Sequence, residues 1–366
     1  MQSVFGENIK ISLFGESHGE CVGVTIDGLA PGLFLDLNFI KAQLLKRSLS
    51  GAMSTSRKET DEFKIVSGFF NGFTTGTPLT IIISNMDTRS EDYESSKDLL
   101  RPGHADFTAY EKYLGYQDYR GGGHFSGRIT APLVAAGAIF IQVLAQNGIK
   151  IGTRIKSIHN VIDEDLNIKE ISKFIDEWNN SDFPTYSASS KVSMQNEIAE
   201  AKENSDSVGG VLESYVINMP TGIGEPFFDS IESKVSSLLF CVPSVKGVEF
   251  GLGFGFSNKR GSEVSDAFAI ENSKIVTKTN NNGGINGGVT NGMPIVVRCV
   301  VKPTASIGIA QESLNYSTQE EIKLMVNGRH DPCIVHRARV VVDSMIAIAL
   351  VDLFVERYGY MWMRNK

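Results

Sequence analysis

The chain has 366 residues, for which ~150 residues per domain gives about two to three domains, with one large domain still open. Apolar residues make up 42% and charged residues 21%, which excludes a disordered tail protein, and so long a chain folds without disulfide or metal staples. Thirty-five Lys and Arg against 42 Asp and Glu leave a formal charge of −7; this argues against a generic nucleic-acid surface while leaving room for a local basic pocket.

In chain order, Met1 to Glu7 shows neither a basic leader nor a long apolar run, so no secretory signal is expected. Residues 9–14, 22–26, 64–70 and 79–83 are β-rich runs between turns and predict strands. Residues 38–49 carry Phe39, Ile40, Leu44 and Leu45 at helical spacing, and Asn38 is the expected N-cap. Residues 107–113 predict a short amphipathic helix. Residues 129–149 hold no charge and are long enough to span a bilayer, but Pro132, Gly137, Gln142, Gln146 and Asn147 point to a buried core helix. Residues 158–207 are charged and lack glycine between their ends. Ile168, Ile171, Phe174, Ile175 and Trp178 give this stretch helical spacing, which predicts a peripheral, solvated helical insertion in a single domain spanning 1–366. Strand patterns return at 211–219, 246–250 and 295–301, with a helix at 231–239. Residues 338–354 predict a second core helix. Without a regular strand–helix alternation, the fold class is α+β. Gly121 to Gly123 and Gly283 to Gly288, each read as leading to a long apolar helix, hint at duplication.

The chain has six histidines and 36 glycines, nearly a tenth of all residues against ~7% usually. Four histidines stand in unusual company: Gly15-Glu16-Ser17-His18-Gly19, Arg101-Pro102-Gly103-His104-Ala105-Asp106, Gly122-Gly123-His124 and Arg329-His330-Asp331-Pro332. Histidine exchanges protons near neutrality, glycine lets backbone amides approach an anion, and arginine grips carboxylate or phosphate with a planar fork. Together they predict one anionic-ligand site assembled from distant loops. No Walker phosphate loop, Gly-x-Ser-x-Gly elbow or His-Glu-x-x-His helix is present. Gly251, Gly253 and Gly255 make only a partial dinucleotide fingerprint. His330, Cys333 and His336 lack an evident fourth ligand, so no metal is expected. The four dispersed cysteines predict free thiols in a reducing cytoplasm. Ser17 and His18 make a weak nucleophile pair, since adjacent side chains rarely bond productively.

These residues resemble chorismate synthase along essentially the whole chain. The resemblance rests on Phe14 to Gly19, Arg101 to Asp106, Tyr119-Arg120-Gly121-Gly122-Gly123, Val245-Lys246-Gly247-Val248-Glu249, Asn282 to Gly288, Lys302-Pro303-Thr304, and Gly328 to Cys333. It implies a sandwich in which central helices lie between two antiparallel sheets with internal pseudo-symmetry. It also implies a homotetramer; the charge and the core-helix reading above leave no nucleic-acid or membrane partner expected. The implied reaction is an anti-1,4-elimination of phosphate from 5-enolpyruvylshikimate 3-phosphate that needs reduced FMN without net redox change. His18 would protonate or hydrogen-bond the leaving phosphate, His104 would set the protonation of the flavin, and Asp331 would take part in removing the C6 proton. The alternatives are a turn histidine for His18 and a helix N-cap for Asp331. Arg47, Arg101, Arg128 and Arg337 would bind the substrate's anionic groups, with a surface role the alternative for Arg47 and Arg337. His124, Phe125, Ser126, Pro243, Ser244, Gly287, Lys302, Pro303, Thr304, Ala305, Ser306 and Arg329 would contact flavin.

The family usually reads Arg-Ser-Ser-Ala-Arg-Glu-Thr after the triple glycine. Here the run is His124-Phe125-Ser126-Gly127-Arg128-Ile129-Thr130, so a titratable histidine replaces a fixed cation. The family's association with NADP(H) loses an arginine near Met53, and no reductase domain is evident, so reduced FMN would come from outside. Two rivals are a flavin-dependent lyase or phosphotransferase acting on another anion, and a non-catalytic flavin binder. The trio His18, His104 and Asp331, which a pure binder does not need, separates the last from an enzyme.

Overall fold

The computed structural model describes residues 3–48, 61–86, 97–325 and 331–364. One five-stranded antiparallel sheet takes Val4–Phe5, Lys10–Gly15, Cys21–Asp27, Leu79–Ser84 and Phe63–Ser67 in that spatial order. The second takes Val245–Phe250, Ile295–Val301, Gly210–Ile217, Lys150–Ile158 and Val161–Ile162, again antiparallel throughout. The helices are α1 (Leu37–Arg47), α2 (Asp106–Tyr113), α3 (Thr130–Gln146), α4 (Ile171–Asn180), α5 (Ala188–Glu203), α6 (Ile231–Leu239), α7 (Gly261–Val264) and α8 (Val335–Tyr358).

Alternation explains the layers. Val22, Val24 and Ile26 pair across the first sheet with Ile83, Ile81 and Leu79, and all six are buried on the face that meets α3. Helix α8 packs on the second sheet, and α3 packs on α8, which gives an α+β sandwich with the helices in the middle. Both helices are apolar almost all round because both are covered almost all round. They touch where Gly137 faces Ser344; a Cβ at Gly137 would lie 2.1 Å from that of Ser344, so only glycine permits this approach. Asp352 of α8 is buried, and its Oδ1 accepts from the backbone N–H groups of Asn8 and Ile9, at 3.2 and 2.9 Å, which ties the central layer to the first sheet.

Several expectations change in detail. Helix α1 is capped by Asp36, whose Oδ1 accepts from the N–H of Asn38 and Phe39, so Asn38 lies inside the first turn. The strand expected over 64–70 ends at Ser67, because Gly68 turns the chain with φ +77° and Phe69–Phe70 joins a separate hairpin with Phe73–Thr74. The triple glycine does lead into α3. The second glycine-rich run instead forms the hairpin Ile285–Asn286/Val289–Thr290 and feeds a strand, so the glycine runs are not equivalent. Residues 127–146 are long and apolar enough to cross a membrane, yet 78% of that window is buried in the fold. Helix α4 covers the outer face of the second sheet, where Ile171, Ile175 and Trp178 pack with Tyr215, Ile217 and Val296.

Candidate active site

The first sheet delivers the Gly15–Gly19 loop at the end of its second strand. Ser17 N–H donates to the carbonyl of Gly123 at 3.1 Å, which lays this loop along the triple glycine. His18 is only 6% exposed, and its Nδ1 lies 3.2 Å from Ser17 Oγ, so the adjacent pair does meet. Gly121, Gly122 and Gly123 have φ values of +59°, +86° and +53°. A Cβ on Gly121 would lie 2.2 Å from Cε1 of His18, and one on Gly122 would lie 3.2 Å from Cε1 of His104. One bare backbone therefore separates the two histidines. Side chains there would push them apart.

His104 sits in a corner closed by Arg101 and Asp106. The Arg101 guanidinium donates to both Asp106 oxygens, at 2.8 and 2.6 Å. Nδ1 of His104 stands 3.1 Å from Nη2 of Arg101 and 3.2 Å from Oδ1 of Asp106. With its proton on Nε2 alone, Nδ1 accepts from the arginine; with a proton on Nδ1, it donates to the carboxylate. Burial would raise the Asp106 pKa, but the bonds from Arg101 and His104 prevail and hold it well below the usual carboxylate range. Lys302 Nζ donates to the carbonyl of Gly103 at 2.6 Å, and the Ala305 methyl faces Gly103. Lys302 N–H donates to Ser244 O at 2.9 Å, so the Pro243–Ser244 turn adjoins the Lys302–Ser306 segment. Pro303 packs against Gly209. Thr304 Oγ1 is buried with no hydrogen-bond partner among the described residues.

His124 Nδ1 donates to the Gly15 carbonyl at 2.8 Å, Phe125 lies edge-on to Tyr113, and Ser126 Oγ accepts from Arg128 N–H. Arg101, His104, His124 and Phe125 help line a cavity of about 890 Å³, together with Tyr110 and Tyr316. His18 and the remaining arginines do not line it.

Those arginines form a second centre. Arg47 Nε and Nη2 donate to Oδ2 of Asp61 at 3.0 and 2.5 Å, and Arg128 Nη1 donates to Oδ1 of the same carboxylate. Arg128 also donates to Asn85 Oδ1 at 2.9 Å and to Ser84 O at 3.1 Å. Arg337 Nε donates to the carbonyl of Arg47 at 3.0 Å, and its Nη1 donates to Asp331 Oδ2 at 2.9 Å. The surface alternative for Arg47 thus fails, since it is buried. Burial lowers its pKa, against the opposing pull of Asp61. Asp331 is not the cap of α8. That helix starts at Val335 with Ile334 as N-cap, and no side chain caps it.

Gly287 lies at the tip of the hairpin, and the carbonyl of its neighbour Gly288 accepts from Ile231 N–H. Arg329, His330 and Met53 lie outside the described residues. Among the described residues no group of three or more His, Cys, Asp or Glu could hold a metal ion. Cys333 and His336 are buried; burial pushes the thiol up to about 12 and the imidazole down to about 4. All four cysteines are free thiols. Asp61 and Asn85 escaped sequence reading, because a lone acid and a lone amide beside strands carry no signal until the arginines close on them.

The family model described as chorismate synthase matches residues 9–355. The chain is 44% identical over 356 residues to the chorismate synthase of Thermococcus kodakarensis, covering 97% of this chain and 98% of that one. It is 45% identical over 347 residues to the chorismate synthase of Pyrococcus abyssi, covering 95% and 96%. Against that of Dehalococcoides mccartyi it is 44% identical over 354 residues, covering 96% of each. A solved crystal structure of chorismate synthase superposes with a TM-score of 0.77 at 27% identity, over 97% of this chain and 94% of the other.

Proposed function

The chain belongs to the chorismate synthase family, and on that premise we propose which of its residues carry the family's reaction. The reaction is the loss of phosphate from 5-enolpyruvylshikimate 3-phosphate to give chorismate, a carbon–oxygen lyase step of aromatic biosynthesis in a flavin-dependent family. The C6–H of the substrate is weakly acidic and the C3 phosphate leaves poorly unless its charge is stabilised. Reduced FMN, when bound, supplies electron density to the ring without being consumed.

In this reading His18 donates a hydrogen bond or proton to the departing phosphate. His104, able to exchange roles between Arg101 and Asp106, sets the protonation at the flavin edge. Asp331, salt-bridged to Arg337, takes part in removing the C6 proton. Arg47, Arg101, Arg128 and Arg337 hold the carboxylates and phosphate. Lys302, Pro303, Thr304, Ala305 and Ser306, with Pro243, Ser244, His124, Phe125, Ser126, Gly287 and Arg329, form the flavin contacts. The buried, unbonded hydroxyl of Thr304 fits this assignment, since a polar ligand edge would satisfy it. The observation that carries the reading is the pair His18 and His104 on either side of one glycine backbone, next to a buried arginine centre. The same proposal includes a cytoplasmic homotetramer, a single domain with 158–207 as its outer layer, and reduced FMN supplied from outside.

The test is anaerobic turnover with reduced FMN and 5-enolpyruvylshikimate 3-phosphate, read as phosphate and chorismate formed together; no turnover sinks the assignment. Asp331→Asn should bind FMN yet stall, and normal turnover would move the base elsewhere. Protonated His124 would supply the cation that the family's arginine provides. His124→Arg should then keep FMN affinity while His124→Ala loses it, and equal affinity in wild type and both variants refutes that role.

A further inference from the structure

One unbroken chain of hydrogen bonds joins the two loops assigned to proton transfer. Asn85 Nδ2 donates to the carbonyls of Glu16 and Gly19, both at 2.9 Å, and so holds the loop that carries His18. Asn85 Oδ1 accepts from Arg128, Arg128 and Arg47 meet on the Asp61 carboxylate, Arg337 donates to the backbone of Arg47, and Arg337 reaches Asp331. The middle of the chain is dry: the side chains of Asp61, Arg128 and Arg47 are 1%, 7% and 8% exposed.

The structure assigns Asp61 as the positioning residue that fixes the His18 loop relative to Asp331, an inference that rests on the roles proposed above for those two residues. Three guanidinium groups, Arg47, Arg128 and Arg337, crowd one another, and Arg47 is held against the repulsion of the other two. Among the described residues, Asp61 and Asp331 are the carboxylates that bond to them. Asp61 bonds to two of them, one through each oxygen. Its charge keeps Arg47 and Arg128 together, and its two oxygens set the planes of both forks. That leaves Nη1 of Arg47 with no acceptor among the described residues, available to an incoming anion. Asp61 contacts no reacting atom in this scheme; it acts through the arginines.

The experiment compares wild type with Asp61→Gly, Asn85→Ala and the double variant in anaerobic turnover, with and without added formate. A misplacement of this kind costs about 10²-fold. Asp61→Gly should therefore lose about 10²-fold in kcat with a several-fold rise in KM. Formate refilling the carboxylate site should recover about tenfold or more, whereas chloride at equal ionic strength should not. Asn85→Ala should lose about tenfold, and the double variant should be no slower than Asp61→Gly, since both break one chain. Wild-type kinetics in Asp61→Gly, a folded variant that formate does not rescue, or additive losses would overturn the assignment. Where Asp61→Gly does not fold, Asp61→Asn and Asn85→Ala decide by kcat, and wild-type values in both overturn it. A wild-type protein that releases no phosphate would break the underlying reading instead. Asp61 is then judged by whether formate raises the melting temperature of Asp61→Gly but not of wild type, and no rise overturns it.

Discussion

Two buried charge networks in this chain differ in what they leave undone. In the second sheet, Arg154 donates to Glu213, Asp163 and the carbonyl of Glu164, and Arg298 donates to Glu249, Glu213 and the carbonyl of Gly251. Tyr215 adds its hydroxyl to Glu213 at 2.5 Å. Two cations face three carboxylates, and every guanidinium nitrogen has an acceptor. In the centre around Asp61, three arginines meet two carboxylates among the described residues, and Nη1 of Arg47 has no acceptor among them. The first network completes itself and fastens the sheet. The second is the one that the substrate's anionic groups would complete under the proposed function. The comparison teaches that burial of charge does not by itself mark a site, whereas burial with surplus positive charge and spare donors does.

The contrast can be broken from either side. The largest effects are expected at the histidines. His18→Ala and His104→Ala should each lower turnover by ~10²–10⁴ while the protein stays folded, measured by phosphate release alongside thermal melting. Near-normal rates would remove their proton-transfer roles. Next comes the sheet network. Glu213→Ala leaves Nε and Nη2 of Arg154, Nη1 of Arg298 and the Tyr215 hydroxyl without their acceptor, and should cost about 3–5 kcal/mol in denaturant unfolding, with turnover per folded molecule unchanged. A large rate loss without a stability loss would erase the distinction between the networks.

A smaller effect comes from His336. Burial first, then the neighbouring arginines, lower its pKa to about 4 in the folded protein, below the usual 6.5. As pH falls, the unfolded chain takes up this proton before the folded one. Stability is therefore full above pH 6.5 and declines toward pH 4, by on the order of 3 kcal/mol in total. His336→Phe should flatten the part of that slope between about pH 5 and 6.5, above most carboxylate titration. Urea midpoints across that range read it, and an unchanged slope would assign it elsewhere. The smallest effect is at the surface pair Lys169–Glu271, 3.0 Å apart with both side chains more than half exposed. Lys169→Ala should change stability by less than about 1 kcal/mol, and a larger loss would show that this pair behaves like the buried ones.

The strands and helices were largely legible because their cause is local. Alternation at Val22, Val24 and Ile26 and the uncharged run that becomes α3 need no partner to be seen. Capping at Asp36 and the break at Gly68 were missed because they turn on single backbone geometries. The histidine, arginine and glycine clusters were visible as unusual company. Glu249, part of a motif that supports the family resemblance, is spent on Arg298 and the Phe254 N–H, which no motif could tell.

The sequence by itself determined the α+β class, the family and the residue kinds that an anionic, proton-exchanging site requires; the layers came only as what the family resemblance implies. Periodicity and residue chemistry are written along the chain. Only the tertiary structure decided which of those residues meet. It laid His18 and His104 along one glycine backbone, turned Arg47 and Arg128 inward onto Asp61, and left Gly287 on a hairpin of its own. Such meetings join residues far apart in the chain, and they exist only once the two sheets have closed over α3 and α8.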